Sequence, residues 1–135
     1  MVVLMLRELD RLRRVADWLS DDLNRRVPQE WSCRVEDDYV LVVRTQEREE
    51  RVALDQEVAV ADWPVEAWAP EFRESTLDDD ACEMLTEEVG EVLRLWDIEW
   101  PTCTEHGRPL GCCSSVWFCN GPAYHDVAPV GQLQV

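Results

Sequence analysis

The chain has 135 residues, of which 46% are hydrophobic and 31% are charged. This length supports one compact core, and the composition excludes a disordered, collagen-like or membrane-spanning chain. The formal net charge is −16, and residues 61–100 hold thirteen acidic residues against two arginines, a local charge of −11. Phosphate binding depends on Lys and Arg, so this charge disfavours a direct interface with DNA or RNA.

The start of the chain lacks the features of a signal peptide. Residues 1–6 are apolar, but charged residues follow at once, without a positively charged lead or a small-residue cleavage site. No apolar run reaches the roughly 18 residues that a membrane-spanning helix needs. We therefore expect a cytoplasmic protein without membrane association, whose six cysteines are reduced, metal-bound or buried rather than disulfide-bonded.

The first predicted element is an amphipathic helix from about Leu4 to Arg26, which Pro28 ends. Its apolar stripe recurs at helical spacing and should face the core; it comprises Leu9, Leu12, Ala16, Leu19 and Leu23. Its predicted solvent face comprises Arg7, Arg11, Arg14, Asp17 and Asp21.

Three extended segments follow this helix. Residues 31–36 alternate between apolar and polar side chains, and residues 39–43 form an apolar run after two aspartates that suit a turn. This pattern predicts a β-hairpin. A third strand is predicted over residues 51–60, after a charged turn. Its predicted buried positions are Val52, Leu54, Val58 and Val60.

A second helix is predicted after an irregular segment over residues 61–72, where two prolines interrupt regular structure. Residues 75–80 would supply its caps and acids matched to the helix dipole, and it should end before Pro101. Its apolar stripe comprises Cys82, Leu85, Val89, Val92 and Trp96. The order of elements predicts an acidic α+β domain over residues 1–100, with a small three-stranded antiparallel sheet and both helices on one face.

The remaining residues, 101–135, form a tail rich in metal-binding residue types. The tail holds four of the six cysteines and both histidines, arranged as Cys-x2-His, twelve residues and Cys-x5-His. Zn²⁺ accepts four such ligands in tetrahedral geometry. The spacing therefore predicts a structural Zn²⁺ site, in a tail packed on the acidic domain, with the ligands Cys103, His106, Cys119 and His125.

Turn-forming residues indicate how this tail folds. Gly107 follows the first ligand pair, and Gly121 and Pro122 lie within the second, which disfavours a helix that carries the second pair. This arrangement predicts a zinc-ribbon-like β-hairpin, with residues 116–118 as one strand, rather than a finger that reads nucleic acid.

Other arrangements of the cysteines are also compatible with the sequence. Cys112 or Cys113 could replace one of the four ligands, or the tail could hold buried cysteines and no metal. Cys33 and Cys82 fall on the apolar faces of a strand and a helix, so we expect both to be small buried hydrophobic residues.

The tail also resembles a known type of protein. Segments 100–110, 117–119 and 127–133 are similar to the C-terminal end of small uncharacterised zinc-ribbon-like proteins from high-GC bacteria. The resemblance involves about a quarter of the chain. It implies a metal-stapled tail and brings no particular activity.

The second helix carries an acidic row formed by Glu83, Glu87 and Glu91. Such a row is either a solvated face or a docking surface for a basic protein. The sequence therefore predicts a non-enzymatic binding or adaptor protein with a basic partner.

Two other functions are compatible with the same features. One is a DNA-mimic inhibitor of a basic nucleic-acid-binding protein. The other is a small zinc-dependent enzyme in which Glu105, between the first two ligands, acts as a base. Motifs of serine hydrolases, phosphate-binding loops, dinucleotide-binding folds and zinc deaminases are absent from the sequence, which favours the non-enzymatic reading.

Overall fold

The computed structural model describes residues 2–26, 30–54 and 70–133. These residues form two helices and two three-stranded antiparallel sheets, which confirms the predicted α+β class. In chain order the elements are α1 (Val2–Arg26), β1 (Ser32–Val35), β2 (Val40–Arg44), β3 (Glu49–Ala53), α2 (Pro70–Leu95), β4 (Leu110–Cys113), β5 (Val116–Asn120) and β6 (Tyr124–Pro129). Neither helix in this part of the chain combines the length and apolar character needed to cross a membrane.

Helix α1 buries every residue of its predicted apolar stripe. The predicted exposure of Arg11 is wrong, because this side chain is only 4% exposed and its Nε lies 2.8 Å from Asp78 Oδ1 on α2. Arg14 Nη2 contacts the same carboxylate oxygen at 2.6 Å. The side chain of Arg7 lies outside the described residues. The contact between the two helices is therefore ionic as well as apolar.

Strands β1, β2 and β3 form the first sheet in that order. The predicted hairpin is confirmed, with Val35 opposite Leu41 and with Tyr39 at a φ of 62° in the turn. Strand β3 starts at Glu49, before the predicted start at residue 51. Leu54 is buried as predicted, whereas the predicted continuation over residues 55–60 lies outside the described residues.

Two polar side chains of α1 cover the free edge of β1. Ser20 Oγ accepts a hydrogen bond from the backbone N–H of Cys33 at 2.8 Å. One turn later, Asn24 accepts from the N–H of Trp31 at 2.8 Å and donates to its carbonyl at 3.0 Å. Residues four apart lie on one helix face, so both side chains reach the same strand. They satisfy backbone groups that an open sheet edge would leave unpaired.

Helix α2 begins earlier than the sequence pattern predicts. It starts at Pro70, where the fixed φ suits the first helical turn and no backbone N–H is needed. Residues 75–80 therefore lie inside the helix rather than at its cap, and Asp78 binds arginines on α1. The helix ends at Leu95, before Pro101 as predicted. Residues 61–69 of the predicted irregular segment lie outside the described residues.

Strands β4, β5 and β6 form the second sheet, which has one strand more than the predicted hairpin. Ser114 and Ser115 join β4 to β5 with φ values of 52° and 61°, as in a type I′ turn. Contacts with α2 hold this uncommon serine conformation. Ser115 Oγ donates to Asp79 Oδ1 at 2.6 Å, and the N–H of Ser114 points to Glu83 Oε1 at 3.4 Å. The turn thereby docks the second sheet on α2.

A buried carboxylate on α1 connects the first helix to the end of the chain. Asp22 is 0% exposed, and its Oδ2 accepts hydrogen bonds from Trp117 Nε1 at 2.9 Å and the N–H of Gly131 at 2.7 Å. Its Oδ1 accepts from the N–H of Leu133 at 2.9 Å. Arg25 Nη1 lies 3.5 Å from Oδ1 and donates to the carbonyl of Gly131 at 2.8 Å. The buried charge is thus fully partnered.

The core extends across the predicted boundary at residue 100. Leu19 and Val43 belong to the same buried cluster as Leu85 on α2 and Trp117 and Cys119 on β5. The predicted domain over 1–100 and the predicted tail over 101–135 thus both contribute residues to one hydrophobic cluster.

We predict that Asp22→Ala lowers the free energy of unfolding by about 3 kcal/mol, because buried donors lose their acceptor. Urea denaturation monitored by tryptophan fluorescence measures this loss. Asp21→Ala is the matched control, since it removes the same group from the adjacent exposed position and should change stability by less than about 0.5 kcal/mol. Equal losses in the two variants would contradict the role given to Asp22.

Candidate metal centre

The structure brings the four predicted ligand residues together. Their donor atoms all lie within 4.8 Å of one another, in a group made up of Cys103, His106, Cys119 and His125. Both cysteines are buried, whereas one histidine is half-buried and the other is exposed. The sulfur side of the group therefore faces the core, and the imidazole side faces solvent.

The first ligand pair lies on a tight turn between α2 and β4. The N–H of Gly107 donates to the carbonyl of Cys103 at 2.8 Å, and the N–H of Cys103 donates to the carbonyl of Arg108 at 2.8 Å. Gly107 has a φ of 66°, a left-handed conformation that favours glycine. Thr102 and Pro109 form an isolated antiparallel bridge at the base of the turn. This closed turn directs both side chains of the pair toward one point.

The second ligand pair lies on neighbouring strands. Cys119 on β5 and His125 on β6 are direct cross-strand partners. Such partners project from the same face of a sheet with Cβ atoms about 4.5–5.5 Å apart. The five intervening residues, which make a wide loop in the sequence, therefore correspond to a short distance in space.

Three sulfur–nitrogen distances in the group are compatible with a tetrahedral zinc ion. Cys103 Sγ lies 3.6 Å from His106 Nδ1 and 3.7 Å from His125 Nε2. Cys119 Sγ lies 3.5 Å from His106 Nδ1. Zn–S bonds of about 2.3 Å and Zn–N bonds of about 2.0–2.1 Å at tetrahedral angles place sulfur and nitrogen about 3.6 Å apart. These three separations are therefore suited to a metal ion bound between the sulfur and nitrogen atoms.

Hydrogen bonds around the group favour metal-binding forms of the ligands. Burial raises the pKa of Cys103, but hydrogen bonds from the backbone of His106 and Glu105, and from the side chains of His106 and Cys119, together lower this pKa to about 6. The thiolate is the form that binds metal. His125 Nδ1 lies 3.3 Å from the carbonyl of Ala123, so an N–H at Nδ1 donates there and leaves Nε2 for the ion. The same carbonyl raises the pKa of His125. A more basic imidazole gives its electron pair at Nε2 more readily to a metal ion.

The structure does not place Cys112 or Cys113, the alternative ligands, in this group. Cys112 Sγ lies 3.7 Å from Cys82 Sγ on α2, and Cys113 is exposed. Cys33 and Cys82 are buried as predicted, and burial raises the pKa of Cys33 to about 12. The contact between Cys82 and Cys112 was not predicted, because residues 30 positions apart on a helix and a strand share no spacing signal.

Comparison with known proteins adds no relative. No family model, curated protein or solved structure matches the chain. The assignment of this site therefore rests on the geometry and chemistry of its four donor residues.

We predict one Zn²⁺ per chain, lost on Cys103→Ser or His125→Ala. The C-terminal sheet should lose stability with the metal, because zinc contributes about 10–16 kcal/mol to folding in small zinc modules. Native mass spectrometry counts the metal, and circular dichroism with and without chelator monitors the fold. Cys113→Ser, which removes an exposed thiol outside the group, is the control and should keep the full zinc content. Zinc retained by both ligand variants would rule out the site.

Gly121 tests the packing around the donors. A Cβ at this position would lie 3.3 Å from both Cys119 Sγ and His106 Nδ1. We predict that Gly121→Ala weakens zinc affinity about tenfold, as changes next to metal ligands commonly do. Gly90→Ala is the control, because an added Cβ there has nothing within 4 Å, and zinc affinity should not change. Competition with a chromophoric chelator measures both affinities; an equal change in both variants would count against this packing.

Proposed function

We propose that the protein is a non-enzymatic binding or adaptor protein whose C-terminal sheet is held by a structural Zn²⁺. The observation that carries this proposal is the convergence of two thiols and two imidazoles within 4.8 Å, with three sulfur–nitrogen separations of 3.5–3.7 Å. Four protein ligands fill the coordination shell of zinc. In such a site, the free energy of metal binding becomes free energy of folding.

The donor types and their placement support zinc and a zinc-ribbon-like arrangement. Ca²⁺ and Mg²⁺ prefer oxygen ligands, whereas this group offers sulfur and imidazole nitrogen. One ligand pair lies on a turn before β4, and the other joins β5 to β6. A metal bound there would fasten all three strands near their common end.

A small zinc enzyme is less well supported by this geometry. Glu105 Oε2 lies 3.8 Å from His125 Nε2, so a carboxylate does stand beside the group, with its side chain 75% exposed. A catalytic zinc keeps one coordination position open for water. Here four protein donors already lie within 4.8 Å of one another, enough to fill a tetrahedral shell, which favours a structural ion.

The proposed partner surface is the acidic row formed by Glu83, Glu87 and Glu91, which are all exposed. Glu91 is paired with Arg94, which offsets part of the charge. The remaining repulsion affects a neighbour, because the pKa of Glu88 is raised by partial burial and then by the charges of Glu87 and Glu91. A basic partner would relieve this repulsion, which supports the row as a binding surface.

We predict that the triple variant Glu83→Gln, Glu87→Gln, Glu91→Gln binds a fluorescent oligoarginine peptide about tenfold more weakly than the wild type. Three exposed ion pairs of about 0.5 kcal/mol each account for a loss of this size. Fluorescence anisotropy of the zinc-loaded protein, at fixed low salt, measures the affinity. Oligoarginine serves as the probe for a basic partner.

A second triple variant controls for net charge. Asp17→Asn, Asp38→Asn and Glu47→Gln remove the same formal charge from exposed positions elsewhere, and should change the affinity less than about twofold. Equal weakening in both triple variants would mean that overall charge, not the row, attracts the peptide. The DNA-mimic alternative predicts in addition that duplex DNA competes for a natural partner bound at this row.

A further inference from the structure

A second pair of cysteines lies outside the metal centre. Cys82 on α2 and Cys112 on β4 have Sγ atoms 3.7 Å apart. A disulfide requires about 2.05 Å, so the sulfur atoms need to approach by only about 1.7 Å. Because one cysteine is on a helix and the other on a strand, packed elements rather than a mobile loop hold the two thiols in contact.

The two thiols differ in their access to solvent. Cys82 is 0% exposed, whereas Cys112 is half-buried and lines a groove of about 440 Å³ between α2 and β4. The walls of the groove include Glu83, Thr86 and Trp100. A small molecule in the groove would therefore meet Cys112 first, with Cys82 directly behind it.

The pKa values of the two thiols are shifted in opposite directions, as a reactive dithiol requires: one thiol ionises easily and the other stays protonated. The hydrogen bond with Cys112, followed by burial, raises the pKa of Cys82 above its ordinary range. The hydrogen bond from Cys82 lowers the pKa of Cys112, against the opposing effect of burial, and the hydroxyl of Thr86 adds to the lowering. Together with its position at the groove, this difference favours Cys112 over Cys82 as the nucleophile of the pair.

We propose that Cys82 and Cys112 form a redox-active dithiol that small hydroperoxides oxidise to a disulfide. The Cys112 thiolate attacks one peroxide oxygen, an S–O bond forms, and the O–O bond breaks. For hydrogen peroxide the leaving hydroxide takes up a proton and becomes water. Cys82 Sγ then attacks Cys112 Sγ, the S–O bond breaks, and the hydroxyl leaves with the Cys82 proton as a second water. Two thiols lose two electrons, and the peroxide gains them.

Charge at the groove favours a neutral oxidant. Glu83, Glu87 and Arg94 line it, and Arg94 is already paired with Glu91. The two glutamates therefore leave the groove with an acidic excess that repels anionic disulfides such as oxidised glutathione. Hydrogen peroxide carries no charge and is small enough to reach a half-buried thiol. The resulting disulfide would join α2 to β4, and its formation does not depend on the partner proposed for the acidic row.

The zinc-loaded wild-type protein, treated with hydrogen peroxide and alkylated after denaturation, provides the test. Before alkylation, we expect the intact mass to fall by two hydrogen atoms. After alkylation, we expect two fewer alkyl groups than in the reduced protein, a Cys82–Cys112 cross-linked peptide under non-reducing conditions, and reversal by dithiothreitol. Oxidised glutathione should oxidise the pair more slowly than hydrogen peroxide. Oxidation of Cys113 or of the zinc ligands while Cys82 and Cys112 remain reduced would overturn the proposal.

Single-cysteine variants assign the roles. Cys82→Ser should leave Cys112 as a sulfenic acid that dimedone traps, whereas Cys112→Ser should leave Cys82 unoxidised. Cys113→Ser is the matched control and should form the disulfide as the wild type does. No dimedone adduct in Cys82→Ser, or no disulfide in Cys113→Ser, would also overturn the proposal. If Cys82→Ser folds poorly, Cys82→Ala replaces it, and the wild-type peptide map decides independently.

Discussion

The buried carboxylate of Asp22 is the contact that places the second sheet against the first helix. A buried carboxylate is costly unless its oxygens are partnered, and the partners of Asp22 come from residues 95 to 111 positions away. The chain therefore satisfies this charge only when its end lies against α1. Trp117, one of the donors, lies two residues before Cys119 on the same face of β5. Anchoring the indole thus also turns a thiol of the candidate metal centre toward the interior.

The helices and strands that have a periodic pattern of apolar residues were predictable from the sequence. The apolar stripe of α1 and the alternation in the first hairpin are local patterns with periods of 3.6 and 2, and the structure confirms both. The four donor residues were predictable for a similar reason. Ligand chemistry restricts the residue types, and turn-forming glycines mark where the chain reverses. Their convergence within 4.8 Å follows from these local features together.

The features that the sequence did not reveal all depend on distant partners. The helical pattern predicts that Arg11 faces solvent. In the structure it is buried because it donates a hydrogen bond to Asp78, 67 positions away. Asp78 and its acidic neighbours over residues 75–80 were predicted to lie at the start of the helix, whereas they lie inside it. A carboxylate suits either a helix cap or an ion pair, so the residue type does not distinguish the two positions. The serine turn between β4 and β5 has no glycine or asparagine to signal positive φ, since contacts with Asp79 and Glu83 stabilise it instead. Local sequence propensity cannot predict contacts between residues that are far apart in the chain.

One cysteine of each pair lies on the same face of the second sheet, Cys112 from the dithiol and Cys119 from the candidate metal centre. Cys112 is opposite Trp117, and Leu110 is opposite Cys119, so all four side chains project the same way. Trp117 and Leu110 lie between the thiol of Cys112, which contacts α2, and the thiol of Cys119, which contacts the imidazole of His106. Zinc would hold its thiolates at one end of this face, whereas a disulfide at the other end would close a loop of about 30 residues between helix and sheet. Both cross-links would restrain the same strands, one through metal chemistry and the other through oxidation.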